Sequence, residues 1–256
     1  MLFKRLINLN TYWFFNLVLC LLPLTLISGS FLSDLSVVLL SLITIYYLLK
    51  NSIGFEKKLL VFFLIWCFYL IIISILSNNV FNSLESSLFY FRFGLFSWAV
   101  CFLLSKNNQL LKYLMLVLNF SFLILIFDSF FQLIFGFNIV GIVHEGDRLS
   151  SFFGDEHVLG QYLVKFFPIL LMLNNFFLKE NNALNIYQIF LISNVGIVIT
   201  ASGERTSLGL FIISIIILFL LMKKNNQYFL ISSIIFIIIS CLVIIVNEPL
   251  KKRIID

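Results

Sequence analysis

The chain has 256 residues, of which 61% are hydrophobic and 11% are charged, and its mean hydropathy is +1.09. Soluble domains are closer to half apolar, so this composition excludes an ordinary soluble protein and predicts an integral membrane protein. The formal net charge of +5 does not indicate nucleic-acid binding, because the basic residues follow the ends of the apolar segments.

Apolar segments of about 18–20 residues recur along the chain, and such a segment can cross a hydrocarbon core roughly 30 Å thick. Backbone groups in lipid must be bonded within their own segment, so these segments are predicted to be helices. The predicted fold is an all-α, polytopic transmembrane helical bundle that forms a single transmembrane domain over 1–256. About nine spans are predicted: 13–31, 35–49, 59–77, 89–104, 113–135, 158–174, 185–201, 207–222 and 228–246.

The basic residues predict the orientation of these spans, because cytoplasmic loops are enriched in lysine and arginine. With a cytoplasmic N-terminus, ten basic residues fall on the cytoplasmic side: Lys4, Arg5, Lys50, Lys57, Lys58, Lys106, Lys112, Lys179, Lys223 and Lys224. The opposite loops carry most of the acids: Asp34, Glu85, Glu145, Asp147, Asp155, Glu156, Glu204 and Glu248. Two polar islands, 146–157 and 202–206, are therefore predicted on the outer side.

The cysteines and histidines do not have the spacing of a metal site. Four cysteines lie far apart within apolar segments: Cys20, Cys67, Cys101 and Cys241. Without a CxxC spacing they are predicted to be small packed hydrophobic residues, and no disulfide framework is expected. The two histidines, His144 and His157, show no ligand spacing either, so no metal is expected.

Polar residues interrupt the apolar pattern in the fourth and fifth predicted spans. Arg92, at the outer start of the fourth span, is a candidate third phosphate contact; the alternative is an interfacial arginine that extends toward lipid headgroups. Asp128 and Gln132 lie one turn apart on the fifth span and share a helix face. Asp128 is a candidate catalytic carboxylate with Gln132 in support, and the alternative is a hydrogen-bonded pair that packs helices together.

Each polar island contains one arginine, Arg148 in the first and Arg205 in the second. A guanidinium offers paired donors that match phosphate oxygens. Two of them on the same side of the membrane suit a diphosphate. The alternative is that each arginine extends toward headgroups or pairs with a neighbouring acid, Asp147 or Glu204.

The first island continues into the sixth predicted span through Glu156 and His157. His157, Gln161 and Lys165 are spaced by four residues and fall on one face of that helix. Glu156 is a candidate catalytic carboxylate, Gln161 a supporting residue and Lys165 a phosphate contact. Lys165 lies roughly 10 Å or more along the helix axis, a depth at which a lysine needs a partner or a wet cavity. The alternative for Lys165 is an ion pair with Asp128.

The second island places Gly203, Glu204 and Arg205 where one apolar segment ends and the next begins. A helix that starts here would direct free N–H groups and the positive end of its dipole at an anion. Glu204 is a candidate supporting residue beside Arg205. The alternative is a plain tight turn between two helices.

In this order and spacing, these residues resemble the O-antigen ligase/polymerase family of bacterial membrane proteins, over roughly 85–256. The resemblance is carried by Asp128, Gln132 and 136–141, then 148–156, then 160–163 and Pro168, then 202–206. It implies a multi-pass glycosyltransferase of the bacterial inner membrane, with its polar islands facing the periplasm, that acts in lipopolysaccharide or other polysaccharide biosynthesis.

The resemblance also implies the substrates. A glycan would move from an undecaprenyl-diphosphate carrier to an acceptor glycan or a lipid A core sugar, without a metal or other cofactor and without a nucleic-acid partner. Arg148 and Arg205 match the family's arginines that are thought to hold the diphosphate. The family's important histidine lies in an external loop beyond the last residue here, so the sequence is expected to be the N-terminal part of a larger family domain.

Two other functions fit parts of the pattern. A transporter or flippase of a charged lipid or solute would explain Asp128, Gln132 and Lys165, because charges within a membrane also mark translocation paths. Against it, no inverted repeat is visible and the charges cluster toward one side. An inactive, truncated membrane bundle is the remaining alternative.

Overall fold

The computed structural model describes residues 2–49, 57–107, 109–143, 148–154, 156–178, 182–221 and 226–246. Within these ranges the regular structure is helical, with one 3-10 turn at Ser151–Phe153 and an isolated bridge between Phe137 and Val143. The predicted all-α fold is therefore confirmed. The helices in chain order are α1 (Leu2–Ile27), α2 (Ser30–Leu49), α3 (Lys57–Ile75), α4 (Val80–Leu88), α5 (Phe91–Lys106), α6 (Gln109–Phe135), α7 (Leu159–Phe177), α8 (Asn182–Ala201), α9 (Arg205–Leu221) and α10 (Asn226–Val246).

Each of the nine predicted segments overlaps one of these helices, and α4 is the helix that the sequence did not predict. Its nine residues include three serines and one asparagine, so it lacks the apolar run by which the other helices were identified. The predicted orientation partly depended on Lys50, Lys179, Lys223 and Lys224, which lie outside the described residues, as does the tail 247–256.

Four of the described helical stretches are long and apolar enough to cross a membrane. They are Ser30–Tyr47, Val80–Lys106, Gln109–Phe135 and Asn182–Ala201. The stretch Val80–Lys106 contains α4 and α5 together. Shorter apolar helices accompany them, such as Leu60–Ile75 and Arg205–Leu221. Length and composition thus support a membrane protein, whereas the number of nine spans stays a prediction.

The chain divides into two compact units, Met1–Leu114 and Met115–Asp256. In the first unit α2 packs between α1 and α5. Polar side chains of α2 bind the backbone of α5, where the Thr44 Oγ1 donates to the Leu95 carbonyl at 2.8 Å. Buried apolar side chains of α1, α2 and α5 fill the space between these helices, among them Leu40 and Leu103. This unit is therefore held by a conventional apolar helix interface.

In the second unit α8 is the central helix, since it packs against α7, α9 and α10 and most of its residues are buried. Close approach to its neighbours depends on Gly196, where an added Cβ would overlap the rings of Phe236 and Phe211. The Phe211 ring also packs on Phe167 of α7, with 4.9 Å between centroids. Aromatic packing around α8 thus fixes the ends of α7, α8 and α9, from which the site described below is built.

A polar network ties α6 to α7 and α8. Asn119 and Asn174 exchange side-chain hydrogen bonds at 2.8 and 3.1 Å, and the Tyr187 hydroxyl donates to the Asn119 Oδ1 at 2.6 Å. Such bonds between apolar helices contribute on average about 0.6 kcal/mol each. They fix the rotation of α6, which carries Asp128 and Gln132 at its other end.

Candidate functional site

The described loop residues after α6, 136–143 and 148–154, are organised by the side chain of Asn138, which is fully buried. Its Oδ1 accepts the N–H groups of Val140 at 3.1 Å and Ile142 at 2.7 Å. Its Nδ2 donates to the Ser151 carbonyl at 3.0 Å. One asparagine therefore closes the first part of the loop and joins it to the second.

Asp128 and Gln132 fasten this loop to α6. The Ser151 hydroxyl donates to the Asp128 Oδ2 at 2.5 Å, and the Ile139 N–H donates to the Oδ1 at 2.9 Å. The Ser151 N–H donates to the Gln132 Oε1 at 2.7 Å. Because both carboxylate oxygens of a fully buried aspartate accept protein donors, each bond contributes about 1.5–3 kcal/mol. Asp128, Gln132, Asn138 and Ser151 are together called the loop clamp.

Ser151 is the centre of the loop clamp and has an uncommon backbone conformation for a residue with a side chain. Its φ is +52°, in the left-handed region that costs roughly 1–2 kcal/mol for an L-residue. The neighbouring Leu149 N–H donates to the Ala201 carbonyl, the last residue of α8, at 3.4 Å. These bonds hold Arg148 close to the second polar island, 202–206.

Glu204 joins the first turns of two helices. It directly precedes α9, and its Oε2 accepts the hydroxyl of Ser207 in the first turn of α9 at 2.6 Å. Its Oε1 accepts the N–H of Gly160 in the first turn of α7 at 3.0 Å. A Cβ at position 160 would lie 2.9 Å from the Ser202 Oγ and 3.1 Å from the Glu204 carboxylate, so glycine permits this approach. A carboxylate at two helix N-termini is stabilised by both dipoles.

The two polar islands meet at a cavity of about 440 Å³, called the arginine cavity. Its described lining residues are Arg148, His157, Gln161, Gly203, Glu204, Arg205 and Thr206. The structure thus brings together Arg148 and Arg205, which the sequence predicted as a pair, and adds Gln161 and Glu204 as predicted supporting residues. The prediction that the islands form one site is supported by this arrangement.

The electrostatics of the arginine cavity favour an anion. Two guanidinium groups line it, and so do residues from the first turns of α7 and α9, whose dipoles are positive there. The Nε of Arg148 is buried and has no hydrogen-bond partner among the described residues. The cavity's carboxylate, Glu204, already accepts two bonds from the protein. The arrangement therefore offers unoccupied donor capacity to a negatively charged ligand.

Three predicted site residues lie elsewhere. Glu156 is exposed and is not among the described lining residues of the arginine cavity. Lys165 is exposed one turn beyond Gln161 on α7 and forms no ion pair within the described parts of the chain. Arg92 belongs to the first unit, where its Nη2 bonds both oxygens of Asp34 at 3.3 and 3.2 Å. These positions leave Arg148 and Arg205 as the two arginines that line the cavity.

The sequence predicts a catalytic role for Asp128, but Asp128 is not among the described lining residues of the arginine cavity. Both of its oxygens bind the loop, and it is fully buried beneath that loop. The alternative ion pair between Asp128 and Lys165 is not formed. The geometry fits a positioning role, in which Asp128 and Gln132 act on the cavity through the segment that carries Arg148.

The sequence did not assign a role to His157, Thr206 or Ser151. From the sequence, His157 was predicted to share a helix face with Gln161 and Lys165 and was rejected as a metal ligand. It precedes α7, which begins at Leu159, and it lines the arginine cavity. Ser151 and Asp128 are 23 residues apart, and nothing in helical periodicity indicates that they pair.

Compared with known protein families, curated proteins and solved structures, the chain matches none.

Proposed function

We propose that the protein is a glycosyltransferase-like enzyme of the O-antigen ligase or polymerase type, which transfers a glycan from an undecaprenyl-diphosphate carrier to an acceptor sugar. One observation carries the proposal: Arg148 and Arg205, from islands about fifty residues apart in sequence, line the same cavity beside the first turns of α7 and α9. Each guanidinium offers paired donors that match phosphate oxygens.

The same groups favour the chemical step. When the bond between the sugar and the carrier breaks, the leaving diphosphate gains negative charge. Cationic donors fixed beforehand stabilise that charge more strongly in the transition state than in the ground state. Arg148 is held near this position by the loop clamp, and Arg205 by its place at the start of α9. In this proposal no metal or other cofactor takes part.

The acceptor hydroxyl must lose its proton during transfer, which requires a general base. Glu204 lines the arginine cavity, but its two oxygens bind Gly160 and Ser207. His157 lines the cavity with an imidazole that has no hydrogen bond to another described residue. The proposal therefore assigns proton acceptance to His157 rather than to Glu156 or Asp128, because a base must reach the reacting hydroxyl.

The proposed setting is a bacterial inner membrane. Nine spans with a cytoplasmic N-terminus would put both polar islands, and hence the arginine cavity, on the periplasmic side. There the cavity would meet the lipid-linked glycan and an acceptor, either another glycan or a lipid A core sugar. The apolar helices Gln109–Phe135 and Asn182–Ala201 support the membrane setting, and the orientation follows from the basic loops alone.

The alternative of a transporter or flippase has less support. It depended on polar residues within the predicted membrane spans, chiefly Asp128 and Gln132. Their acceptor oxygens bind loop donors at 2.5–2.9 Å and are engaged in this conformation. Lys165 retains a free charge within the described residues, but one exposed lysine does not form a path.

The proposal is tested by measuring binding of undecaprenyl diphosphate to the purified full chain in phosphatidylcholine nanodiscs. Arg148→Gln and Arg205→Gln are each expected to weaken binding about tenfold, since a charged hydrogen bond contributes roughly 1.5–3 kcal/mol. Lys112→Gln is the matched control, because it also removes one positive charge, from an exposed lysine of α6.

A second arm measures the release of undecaprenyl diphosphate from a lipid-linked glycan in the presence of an acceptor. His157→Gln is expected to lower the release rate at least 100-fold, within the usual contribution of a general base of about 10²–10⁴, with little change in binding. Equal affinity of both arginine variants and the parent chain, or binding no tighter than that of undecanol, would contradict the proposal.

A further inference from the structure

The first unit contains a groove between α3 and α5, which are separated by a cavity of about 500 Å³. Aromatic side chains form its walls, with Phe62 and Trp66 from α3 and Phe93 and Trp98 from α5. Phe62 and Trp66 are four residues apart on α3, and the α5 lining residues Phe93, Ser97 and Cys101 repeat every four residues. Each wall is therefore one helix face. Gly94 lies at its floor, where an added Cβ would overlap the Phe63 ring. We call this cavity the aromatic groove.

A second cavity of about 600 Å³ lies at the C-terminal end of α3, against α4. Six of its eight described lining residues are serines and asparagines: Ser74, Asn79, Asn82, Ser83, Ser86 and Ser87. We call it the serine–asparagine groove. Tyr90 lines both cavities, and the α3 face that begins with Phe62 and Trp66 continues to Ser74. The two grooves therefore adjoin at Tyr90.

The serine–asparagine groove offers both hydrogen-bond donors and hydrogen-bond acceptors. Ser74 and Ser87 donate their hydroxyl protons to carbonyls of their own helices, at 2.8 and 3.3 Å, which leaves their oxygen lone pairs available. The Asn79 side chain forms no capping bond to α4, so its amide can donate and accept. No described lining residue is charged. Sugar hydroxyls, which both donate and accept, fit this pattern, and a phosphate would find no cationic side chain among the described lining residues.

We propose that α3, α4 and α5 form a binding site for a glycolipid with an uncharged head. Its sugar hydroxyls would bind in the serine–asparagine groove, and its hydrocarbon chain would lie in the aromatic groove. From Phe62 to Ser74 the α3 face spans roughly 18 Å at 1.5 Å per residue, which accommodates a medium-length alkyl chain. The Tyr90 ring lies where head and chain join. This site differs in charge from the arginine cavity and does not depend on the proposed transfer reaction.

The test uses a dodecyl maltoside that carries a photoreactive diazirine on its alkyl chain, added to the full chain in phosphatidylcholine nanodiscs. Cross-links mapped by mass spectrometry are expected on the α3 and α5 walls of the aromatic groove. Unlabelled dodecyl maltoside is expected to prevent these cross-links by competition. Dodecylphosphocholine at the same concentration is expected to leave them unchanged. Equal competition by both detergents would overturn the proposal, because the groove would then bind alkyl chains whatever their head group.

Two variants separate the grooves. The double variant Asn79→Ala with Asn82→Ala removes amides that are exposed in the structure and is expected to lower cross-linking about tenfold, as loss of two hydrogen bonds predicts. Asn78→Ala, exposed and outside the lining, is the matched control. Ser97→Phe puts a ring into the aromatic groove and is expected to block cross-linking without removing a head contact. Unchanged cross-linking in the asparagine double variant would reject the glycolipid.

Discussion

Two polar clusters of the second unit, the loop clamp and the arginine cavity, adjoin in the chain but differ in where their hydrogen bonds go. In the loop clamp, Asp128 and Asn138 are fully buried, and their oxygens accept donors from the same loop. In the arginine cavity, Arg205 and His157 are exposed, and the buried Arg148 Nε has no described partner. The first cluster is closed at its oxygens, although the Gln132 Nε2 is a buried donor without a described partner, and the second is open to a ligand.

The comparison shows that a polar residue in an apolar chain is not by itself a sign of catalysis. A buried polar group must be bonded or it destabilises the fold, so a closed cluster is explained by the fold alone. One donor at the arginine cavity, the buried Arg148 Nε, has no described partner, and bonding within the fold does not explain it. Substitutions in the loop clamp should therefore change stability, and substitutions in the arginine cavity should change binding.

The largest effect is expected for Asp128→Ala. It leaves the Ser151 hydroxyl and the Ile139 N–H without acceptors in a buried place, at about 1–3 kcal/mol for each group. The free energy of unfolding should fall by roughly 3–5 kcal/mol by the same reasoning, measured by denaturant titration in detergent micelles. Asp128→Asn keeps one carbonyl acceptor and should lose less. A stable Asp128→Ala protein that has lost only activity would support the catalytic role instead.

A smaller loss is expected for Gly160→Ala, because its Cβ would lie 2.9 Å from the Ser202 Oγ and 3.1 Å from the Glu204 carboxylate. Displacement of these groups should cost about 1–2 kcal/mol of unfolding free energy and also weaken diphosphate binding, since Glu204 lines the cavity. Gly209→Ala is the control within α9, where nothing lies within 4 Å. That change should stabilise the helix by roughly 0.5–1 kcal/mol, and equal behaviour of both variants would contradict the close contact.

For Arg205→Gln, we expect the free energy of unfolding to stay within about 0.5 kcal/mol of the parent value, as for other exposed positions. Its affinity for undecaprenyl diphosphate should fall in the same preparation. Thermal unfolding with and without the lipid separates the two effects, because ligand stabilisation depends on binding. A large loss of stability without ligand would place Arg205 in the structural cluster.

The smallest effect is expected for Glu156→Gln. The Glu156 side chain is exposed and lies outside the described lining of the cavity, so neither stability nor diphosphate binding should change beyond about 0.5 kcal/mol. The release rate of undecaprenyl diphosphate is the decisive measurement. A 100-fold loss of that rate, without a change in binding, would restore Glu156 as the base in place of His157.

The sequence predicted the helical fold because long apolar segments have few other solutions, and each predicted segment is helical. It did not predict α4, since a nine-residue helix rich in serine lacks the apolar length on which the prediction depends. The turn at Phe89 and Tyr90 that separates α4 from α5 coincides with the predicted start of the fourth span. Periodicity and composition therefore predicted the long apolar helices, but they did not predict the short polar helix α4.

Part of the candidate site could also be predicted from the sequence. Arg148 and Arg205 were paired because charge patterning put both islands on one side, and they do share a cavity. His157 was not predicted as a site residue, because it has no metal-ligand spacing and does not match the motif of the family's histidine. The roles of Ser151 and Asn138 depend on side-chain bonds across 13 to 23 residues. Such pairings arise from tertiary contacts, which a single sequence does not encode in any local pattern.

The left-handed Ser151 has a consequence for ligand affinity through conformational entropy. A mobile loop loses backbone freedom when a ligand orders it, at roughly 1–2 kcal/mol for each residue fixed. Here the three residues after Arg148 are already fixed by Gln132, Asp128 and the end of α8. An anion that binds therefore meets a segment that is already ordered. The conformational entropy of this segment is lost when the chain folds, so ligand binding does not have to overcome it.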